Sequence, residues 1–356
     1  MYPLIEVVRK KVQSLIDRKR VAGFDFGRTG VRVVSFERQS DLKEPGLQVF
    51  HYPHPVSDTE PVSIESFRLF LKREHLDQSP AACNVDDPSL KIRSFDLPKM
   101  PDSDLQEALQ WQLRDVTEDS VAKYVIRHTI LQDYKVVGGD RLSLMGYAIH
   151  REAVERRLRL LAALSLKPRL IEPTPVALLS SLDRLLEWTP GAVYGLLDLG
   201  EGHSSFIALS DRKLFFSRPL IEVSGEEMTR LIMQELNISE TEALDFRTKL
   251  FKNDGSEADE RLKAVLPLCY SRIAIETERS LDGFSLLFPQ MKQIETIFLA
   301  GGGALLPGLR EFLAKNVGIQ IDLVDPFKGW NVPGADHHLY HVATGLAFYG
   351  GSQNQT

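Results

Sequence analysis

The sequence predicts an α/β protein made of two similar halves. Short apolar strands alternate with amphipathic helices, and a strand–turn–strand pattern with an Asp-x-Gly turn occurs twice. The two copies, Asp25-Phe26-Gly27 and Asp198-Leu199-Gly200, stand about half of the chain apart, as duplicated halves would place them. A third apolar strand is followed directly by Gly301, Gly302 and Gly303, so three strands end in glycine-containing turns.

The composition is that of a folded, mildly acidic protein. The 356 residues are 43% hydrophobic and 26% charged, and the net charge of −6 provides no overall basic field for nucleic acid. Cys83 and Cys269 are too few for a disulfide framework or an all-cysteine metal site, which favours a reducing compartment. The uncharged stretches are shorter than the roughly 18 apolar residues of a membrane span, and no signal-peptide core precedes them. We therefore expect a cytoplasmic protein that does not bind nucleic acid.

Residues 1–20 have the pattern of a basic amphipathic helix. Leu4, Val8, Val12 and Leu15 recur at helical spacing, and Lys and Arg residues supply the polar face. Such a helix can dock at an anionic membrane surface or on a partner. The alternative is a helix packed on its own domain, and the sequence leaves both interpretations open.

The first half of the chain alternates strands and helices. β-branched, alternating segments indicate the strands, and apolar residues three and four apart indicate the helices. Residues 91–141 add strands and a helix of their own and therefore resemble an insertion. The predicted elements are strands Val21–Asp25, Val31–Glu37, Leu47–Tyr52, Ala81–Val85, Lys91–Leu97, Tyr124–Asp133 and Leu142–Ala148, and helices Ile64–Glu74, Asp104–Asp115 and Arg151–Leu164.

The second half repeats the opening hairpin and then becomes more helical. Its first two strands flank the turn that contains Gly200 and Gly202, and a charged loop is predicted at residues 253–259. The predicted elements are strands Val193–Asp198, Ser205–Ser210, Thr296–Ala300 and Ile319–Val324, and helices Gly225–Leu236, Ser239–Lys249, Glu260–Leu281 and Pro307–Asn316.

Glycine turns at strand ends suit a phosphorylated ligand. Without a Cβ atom, their N–H groups can approach an anion, and a following helix adds the positive end of its dipole. Asp25 and Asp198 stand beside two of these turns and offer the hard oxygen ligands that Mg²⁺ prefers, through water. The GxGxxG fingerprint at the early hairpins and the GxxxxGK(S/T) motif are absent, so neither a Rossmann dehydrogenase nor a P-loop NTPase is supported.

Four segments resemble motifs of the actin-like ATPase superfamily and occur in that superfamily's order. Residues 21–34 are similar to its first phosphate motif, and residues 196–200 with Ser204 are similar to its second. Residues 297–303 resemble the adenosine motif, and residues 172–177 resemble the connecting segment of the heat-shock chaperone ATPases.

Within that superfamily, residues 21 to 350 resemble the PilM family, the FtsA-like proteins of type IV pilus assembly. The segments that carry this resemblance are Leu97-Pro98-Lys99-Met100, the Trp111 helix, residues 219–229, residues 301–309, Asp325-Pro326-Phe327 and Thr344-Gly345-Leu346-Ala347. The resemblance implies an actin-like duplicated fold with subdomains 1A, 1C, 2A and 2B and a nucleotide cleft between the two halves. The implied bounds are 1–20 for the basic helix, 21–90 and 142–190 for 1A, 91–141 for 1C, 191–222 and 296–338 for 2A, 223–295 for 2B, and 339–356 for the return to 1A and the tail.

The resemblance also implies a function and a site. A PilM-like protein binds ATP with Mg²⁺, hydrolyses it slowly at most, holds the N-terminal cytoplasmic peptide of a PilN-like inner-membrane protein in a groove between 1A and 1C, and can touch the pilus motor ATPases. Asp25 and Asp198 would lie beside Mg²⁺, and Glu172 would orient an attacking water. The residues implied for nucleotide binding are Asp25, Gly27, Arg28, Thr29, Gly30 and Arg32 at the first hairpin, Asp198, Gly200, Gly202, His203 and Ser204 at the second, Arg247, and Gly301, Gly302 and Gly303 along the adenosine.

Three positions depart from the family pattern and bear on activity. Arg32 stands where a lysine is usual, and its planar guanidinium does not fit every lysine site. Glu201 adds a negative charge to the second phosphate hairpin, where it would repel phosphate unless it faces solvent. Leu244 replaces an acidic residue near the ribose, and Arg247 stands in place of a lysine.

Two other functions share this fold. One is a nucleotide-free pseudo-ATPase adaptor that resembles the cytoplasmic domain of GspL from type II secretion. The other is an FtsA-like, membrane-associated filament protein, which the N-terminal position of the amphipathic segment favours less. A metal site at His337, His338 and His341 is a weaker expectation.

Overall fold

The computed structural model describes residues 21–37, 46–117, 119–252, 260–334 and 336–352. The predicted amphipathic helix at 1–20 and the charged loop at 253–259 therefore lie outside the described residues. The chain divides into two compact units. Unit 1 is the chain up to Leu186 with Lys213–Phe216 and the chain from Val342, and unit 2 is Glu187–Arg212 with Ser217–His341.

The sheet of unit 1 has five strands in the order β3-β2-β1-β4-β8. Its strands β1 to β3 form an antiparallel meander, and β4 and β8 pair in parallel beside β1. Parallel neighbours bring their carboxyl ends to one edge, which positions the residues that follow them. The bounds are β1 Ala22–Gly27, β2 Gly30–Glu37, β3 Gly46–Tyr52, β4 Pro80–Asn84 and β8 Lys167–Glu172.

Two helices of unit 1 pack in the core beside this sheet, and a third follows its last strand. Phe67 and Leu71 of one helix and Leu161 of another are buried with Phe24 in one apolar core. The helices are α1 Pro61–Arg73, α3 Arg151–Ala163 and α4 Thr174–Leu185. Helix α1 starts three residues before the predicted position because Pro61 is tolerated in a first turn, where no intrahelical N–H bond is lost.

A separate three-stranded antiparallel sheet of unit 1 has the order β5-β7-β6. Helix α2 packs on it through Leu105 and Leu109, which are buried with Leu97, Leu142 and Leu144. The hairpin strands are longer than predicted, because the ladder continues to the tight turn before Gly139. The bounds are β5 Lys91–Pro98, α2 Asp102–Leu113, β6 Tyr124–Val136 and β7 Gly139–His150.

The second five-stranded sheet repeats the strand pattern of the first. It has the order β11-β10-β9-β12-β13, with β9 and β10 antiparallel and β12 and β13 parallel to β9. The strand bounds are β9 Val193–Leu199, β10 Ser204–Ser210, β11 Lys213–Pro219, β12 Ile294–Ala300 and β13 Gln320–Leu323. The helices are α5 Gly225–Leu236, α6 Glu240–Lys252, α7 Glu260–Leu287 and α8 Leu309–Val317.

The sequence did not predict β8, α4, β11 or the last helix, α9 His341–Ser352. Helix α9 approaches its neighbours in unit 1 at two glycines. A Cβ atom on Gly23 of β1 would lie 2.0 Å from the Ala343 carbonyl oxygen, and one on Gly345 would lie 1.8 Å from the Ala177 carbonyl oxygen. Among the residues that the structure covers, no helix is long and apolar enough to cross a membrane.

Candidate functional site

The first hairpin places an acid and a base opposite each other. Asp25 of β1 faces Arg32 of β2 in the antiparallel register, and the turn between them closes at Gly27 and Gly30. Arg32 Nη1 lies 3.9 Å from Asp25 Oδ2, and Arg32 Nη2 donates to Thr29 Oγ1 at 3.4 Å. The Nε atom of Arg32 is buried and has no hydrogen-bond partner among the described residues. A buried N–H of this kind is a donor available to a bound anion.

A buried amide holds Asp25 from the adjacent strand. Asn84 ends β4, which pairs in parallel with β1, and its Nδ2 donates to Asp25 Oδ1 at 3.0 Å and to Asp86 Oδ2 at 3.0 Å. Its Oδ1 accepts the Phe26 N–H at 2.9 Å. Thr174 Oγ1 donates to Asp86 Oδ2 at 2.7 Å, which connects this network to the start of α4. One oxygen of Asp25 is therefore fixed by Asn84, while Oδ2 faces Arg32.

Burial dominates the acidity of Asp25. Removal from water raises its pKa to about 6, and the nearby Asp86 charge acts in the same direction. The Arg32 and Arg157 charges and the Asn84 hydrogen bond lower the pKa but do not cancel this effect. The Arg157 guanidinium lies over the Phe26 ring, 4.6 Å from its centroid, and Phe26 directly follows Asp25 in the sequence.

Glu172 ends the third parallel strand of the same sheet. Its Cα is paired with that of Asn84, and its carbonyl accepts the Val85 N–H at 2.9 Å. Burial raises the pKa of Glu172 to about 7. The parallel strands β1, β4 and β8 thus bring Asp25, Asn84 and Glu172 to one edge of the sheet.

In unit 2, the second hairpin has a buried acid and a buried hydroxyl. Asp198 of β9 pairs with Ser205 of β10, and both Asp198 and Ser204 are buried. The Ser204 carbonyl accepts the Leu220 N–H at 2.9 Å, but its Oγ has no hydrogen-bond partner in the described part of the chain. His203, at the turn, is exposed.

Glu201 of this turn is paired with Arg247 rather than free in solvent. Arg247 Nη2 donates to Glu201 Oε1 and Oε2, both at 2.8 Å, and Arg247 Nη1 donates to Thr229 Oγ1 at 2.6 Å. Leu244, on the same helix, is 40% exposed. The negative charge that Glu201 adds to the hairpin is therefore paired with the positive charge of Arg247.

The glycine triplet follows β12, the parallel neighbour of β9. Gly301 has a φ of +79°, and a Cβ atom there would lie 2.8 Å from Asp198 Oδ1. Its N–H donates to the His338 carbonyl at 3.2 Å. Gly303 packs on Leu199, where a Cβ atom would lie 2.6 Å from the leucine Cβ. The triplet is therefore pressed against the end of β9, beside Asp198.

A family model for the type IV pilus assembly protein PilM matches residues 128–350, well over half of the chain. The chain belongs to the PilM family. The family resemblance seen in the sequence is thereby confirmed, over a range that includes the second hairpin and the glycine triplet.

Solved structures show the fold of this PilM-family chain. A PilM–PilN type IV pilus biogenesis complex is similar with a TM-score of 0.76 and 23% identity, covering 93% of this chain and 98% of that chain. EutJ, an ethanolamine utilization protein of Carboxydothermus hydrogenoformans, has a TM-score of 0.51 and 15% identity over 98% and 100% of the two chains. MreB5 of Spiroplasma citri bound to ADP has a TM-score of 0.51 and 11% identity over 94% and 96%. No curated protein matches the sequence. The predicted actin-like fold is confirmed.

The structure groups the predicted site residues of this PilM-family chain within its units. Unit 1 holds Asp25, Gly27, Arg28, Thr29, Gly30, Arg32 and Glu172, and unit 2 holds Asp198, Gly200, Gly202, His203, Ser204, Arg247, Gly301, Gly302 and Gly303. The sequence analysis missed Asn84, Asp86 and Thr174. The sequence does carry a signal, because the polar residues Asn84 and Asp86 follow an apolar strand. Their role becomes visible only when β4 is known to pair in parallel with β1.

The three C-terminal histidines bind the backbone and a carboxylate. His337 Nδ1 lies 3.0 Å from Asp325 Oδ1, and His341 Nε2 lies 2.8 Å from the Val324 carbonyl. His338 Nδ1 lies 3.2 Å from the same carbonyl. In the described ranges, no group of three or more His, Cys, Asp or Glu residues is arranged to hold a metal ion. These histidines fasten the segment after β13 to the start of α9.

Proposed function

We propose that this PilM-family protein is a nucleotide-binding scaffold of the type IV pilus inner-membrane platform that holds the N-terminal peptide of a PilN-like protein. Its family supports the pilus role, and the PilM–PilN complex of the same fold supports the partner. The protein would act on the cytoplasmic side and connect this partner to the pilus motor ATPases. Residues 1–20 would add a peripheral contact with the membrane.

One observation carries the nucleotide part of this proposal: each of the two hairpins has a buried polar atom without a partner among the described residues. These atoms are Arg32 Nε and Ser204 Oγ. Leaving such groups unpaired costs stability, which a bound phosphate would recover. Asp25 Oδ2 and Asp198 would face Mg²⁺ through water, and the glycine triplet would lie along the adenosine. The ion would neutralise phosphate charge when bound.

Hydrolysis by this scaffold is expected to be slow or absent. Glu172 would position the attacking water, but burial raises its pKa to about 7, so about half of the molecules carry a neutral acid at that pH. The neutral acid is a poorer acceptor for a proton of water. ATP binding, rather than turnover, would then regulate the scaffold.

The peptide groove is proposed between residues 21–90 with 142–190 and residues 91–141. An apolar cluster supports preformed walls there, because Val125 of β6 packs against the buried cluster of Val85, Ile149 and Ala153. Within residues 21–90 and 142–190, Arg156 Nη2 donates to Asp87 Oδ2 at 2.6 Å, and the Ser89 Oγ accepts the His150 N–H at 3.1 Å. The His150 ring also packs edge-on against Tyr124 of β6, with ring centroids 4.5 Å apart. A peptide that binds between preformed walls loses less ordering free energy than one that must assemble them.

The test is calorimetric titration of the full chain with ATP and Mg²⁺, with and without a peptide copied from the N-terminus of its PilN-like partner. We expect both to bind, with little phosphate released. The Asp25→Ala variant should lose nucleotide binding and keep peptide binding, and a scrambled peptide is the control for the groove. Absence of peptide binding to correctly folded protein would contradict the scaffold role.

The Glu201–Arg247 contact favours a second candidate, a nucleotide-free adaptor. A carboxylate at the second hairpin opposes phosphate and already occupies an arginine. Peptide binding without ATP binding in the same titrations would select this alternative. Filaments that sediment only with liposomes and ATP would instead indicate an FtsA-like protein.

A further inference from the structure

The turn of the second hairpin is bonded to the first residues of helix α5. Gly225 N donates to the Gly200 carbonyl at 3.0 Å, and Glu226 N donates to the Glu201 carbonyl at 3.0 Å. Ser224 Oγ accepts the Glu227 N–H at 3.1 Å and so caps the helix. These N–H groups are used within the chain, so an anion at this place would bind a side chain instead.

Arg247 of α6 connects this turn to α5 through charge-assisted hydrogen bonds. Both oxygens of Glu201 accept from Nη2, while Thr229 Oγ1 and the Gly225 carbonyl accept from Nη1. The Arg247 and Glu201 side chains are only 13% and 23% exposed, so solvent screens the pair weakly. The pair is therefore a strong, partly buried contact.

The carboxylate of Glu201 lies directly against helix α5. A Cβ atom on Gly225 would lie 2.2 Å from Glu201 Oε2 and 3.1 Å from Arg247 Nη1, so the pair packs on this glycine. A guanidinium binds a carboxylate and a phosphate through the same paired oxygens. Close by in sequence, the buried Ser204 hydroxyl has no partner within the described residues.

We infer that Glu201 is an internal competitor for the phosphate of a nucleotide: its carboxylate occupies the Arg247 guanidinium that the ligand would otherwise bind. This inference rests on the proposed nucleotide site. Phosphate binding at the hairpin requires Glu201 to release Arg247, so the native chain binds nucleotide weakly. Helices α5 and α6 remain fastened to the hairpin when no nucleotide is present, because Glu201 supplies the anion.

The test compares variants of the full chain by titration with ATP and Mg²⁺. Glu201→Gln keeps the shape and an acceptor oxygen but removes the charge, and we expect it to bind nucleotide roughly ten-fold more tightly than the native chain. Arg247→Ala, added to that variant, should abolish the gain. Glu235→Gln, the same charge change at an exposed position of α5, is the matched control and should leave affinity unchanged.

A second probe separates this inference from the proposed function. If no form of the protein binds ATP, pyrophosphate should still raise the melting temperature of Glu201→Gln and not that of the Glu201→Gln, Arg247→Ala double variant. That result would support Glu201 as a competitor for phosphate and count against the proposed nucleotide site. Equal or weaker ATP binding by Glu201→Gln, or no response of any variant to either ligand, would overturn the inference.

Discussion

At the scale of single residues, Asp25 is stabilised in its neutral form by the fold. Its pKa in the folded chain is about 6, above the ordinary value of 3.8, so the folded protein holds this proton more tightly than the unfolded chain does. The contribution of Asp25 to stability is full below pH 4 and is lost as the pH rises toward 6. Above pH 6 the carboxylate is ionised and still buried, so its effect on the free energy of unfolding no longer changes with pH.

We predict that Asp25→Asn is more stable than the native chain at pH 7.5, by about 2 kcal/mol, and equal to it near pH 4. Asparagine cannot ionise, and its Oδ1 can still accept from Asn84. The free energy of unfolding in urea, measured from pH 4 to 7.5, checks this.

Asp87→Asn is the control of opposite sign. Burial alone would raise the pKa of Asp87, but the Ser89 hydrogen bonds and the Arg156 charge outweigh it and lower the pKa. Asp87→Asn should therefore lose stability at neutral pH. A native chain that is more stable than Asp25→Asn at every pH would show that Arg32 and Asn84 outweigh the burial of Asp25.

At the scale of elements, a buried carboxylate fastens helix α7 to strand β11. Arg218 Nη2 donates to Glu276 Oε2 at 2.6 Å, and its Nη1 donates to Ser280 Oγ at 3.0 Å. Arg279 Nη1 reaches Glu276 Oε1 at 2.6 Å from the exposed side. Burial alone would raise the pKa of Glu276, but the two arginines hold it below its ordinary value.

We predict that Arg218→Ala destabilises the protein by about 3 kcal/mol, because it leaves a buried carboxylate without its inner partner. Arg279→Ala, which removes the exposed partner of the same carboxylate, should cost less than about 1 kcal/mol. Urea unfolding of both variants measures the difference. Equal effects would mean that solvent screens the two pairs alike.

Helix α9 depends on backbone contacts that glycine alone permits. Gly345 lies against the Ala177 carbonyl of α4, where a Cβ atom would lie at 1.8 Å. Backbone atoms of two packed elements cannot yield as the end of a flexible side chain can. The fit of α9 in unit 1 is therefore sensitive to a single methyl group.

We predict that Gly345→Ala destabilises the protein by about 3 kcal/mol, at the upper end of the usual cost of overpacking. Gly302→Ala is the control, since a Cβ atom there would lie 3.6 Å from Leu339 Cδ2, an ordinary contact. Thermal melts of both variants provide the comparison. A melting temperature of Gly345→Ala within a degree of the native value would contradict the close packing.

At the scale of the whole molecule, the chain divides into two compact units. Chains of this kind often unfold in more than one step, so a single free energy does not describe them. Local opening is better followed region by region, by hydrogen exchange.

We predict that Arg218→Ala speeds amide exchange in α7 of unit 2 and leaves α4 of unit 1 unchanged. Gly345→Ala should have the reverse effect, since its contact lies entirely in unit 1. Mass spectrometry of exchanged peptides gives both readouts in one experiment. Equal acceleration of exchange in both units by either variant would show that the units open together.

The duplicated strand pattern was predictable because local hydrophobic periodicity and turn residues encode it. Asp25 and Asp198 end apolar strands, and periodicity found both hairpins and most helices. Strands β8 and β11 were missed, since Lys167–Glu172 and Lys213–Pro219 alternate weakly and are defined by their neighbours in the sheet. Helix α9 is rich in glycine, which hides its helical propensity.

The sequence by itself determined the family, the actin-like fold and the glycine turns at the strand ends, because local periodicity and short motifs encode these features. Only the tertiary structure decided what surrounds each side chain. Asn84 reaches Asp25 across parallel strands 59 residues apart in sequence, and Arg247 reaches Glu201 across 46. Burial and partner charge set the ionisation of Asp25 and Glu172, and both depend on residues distant in the chain, which no local pattern records.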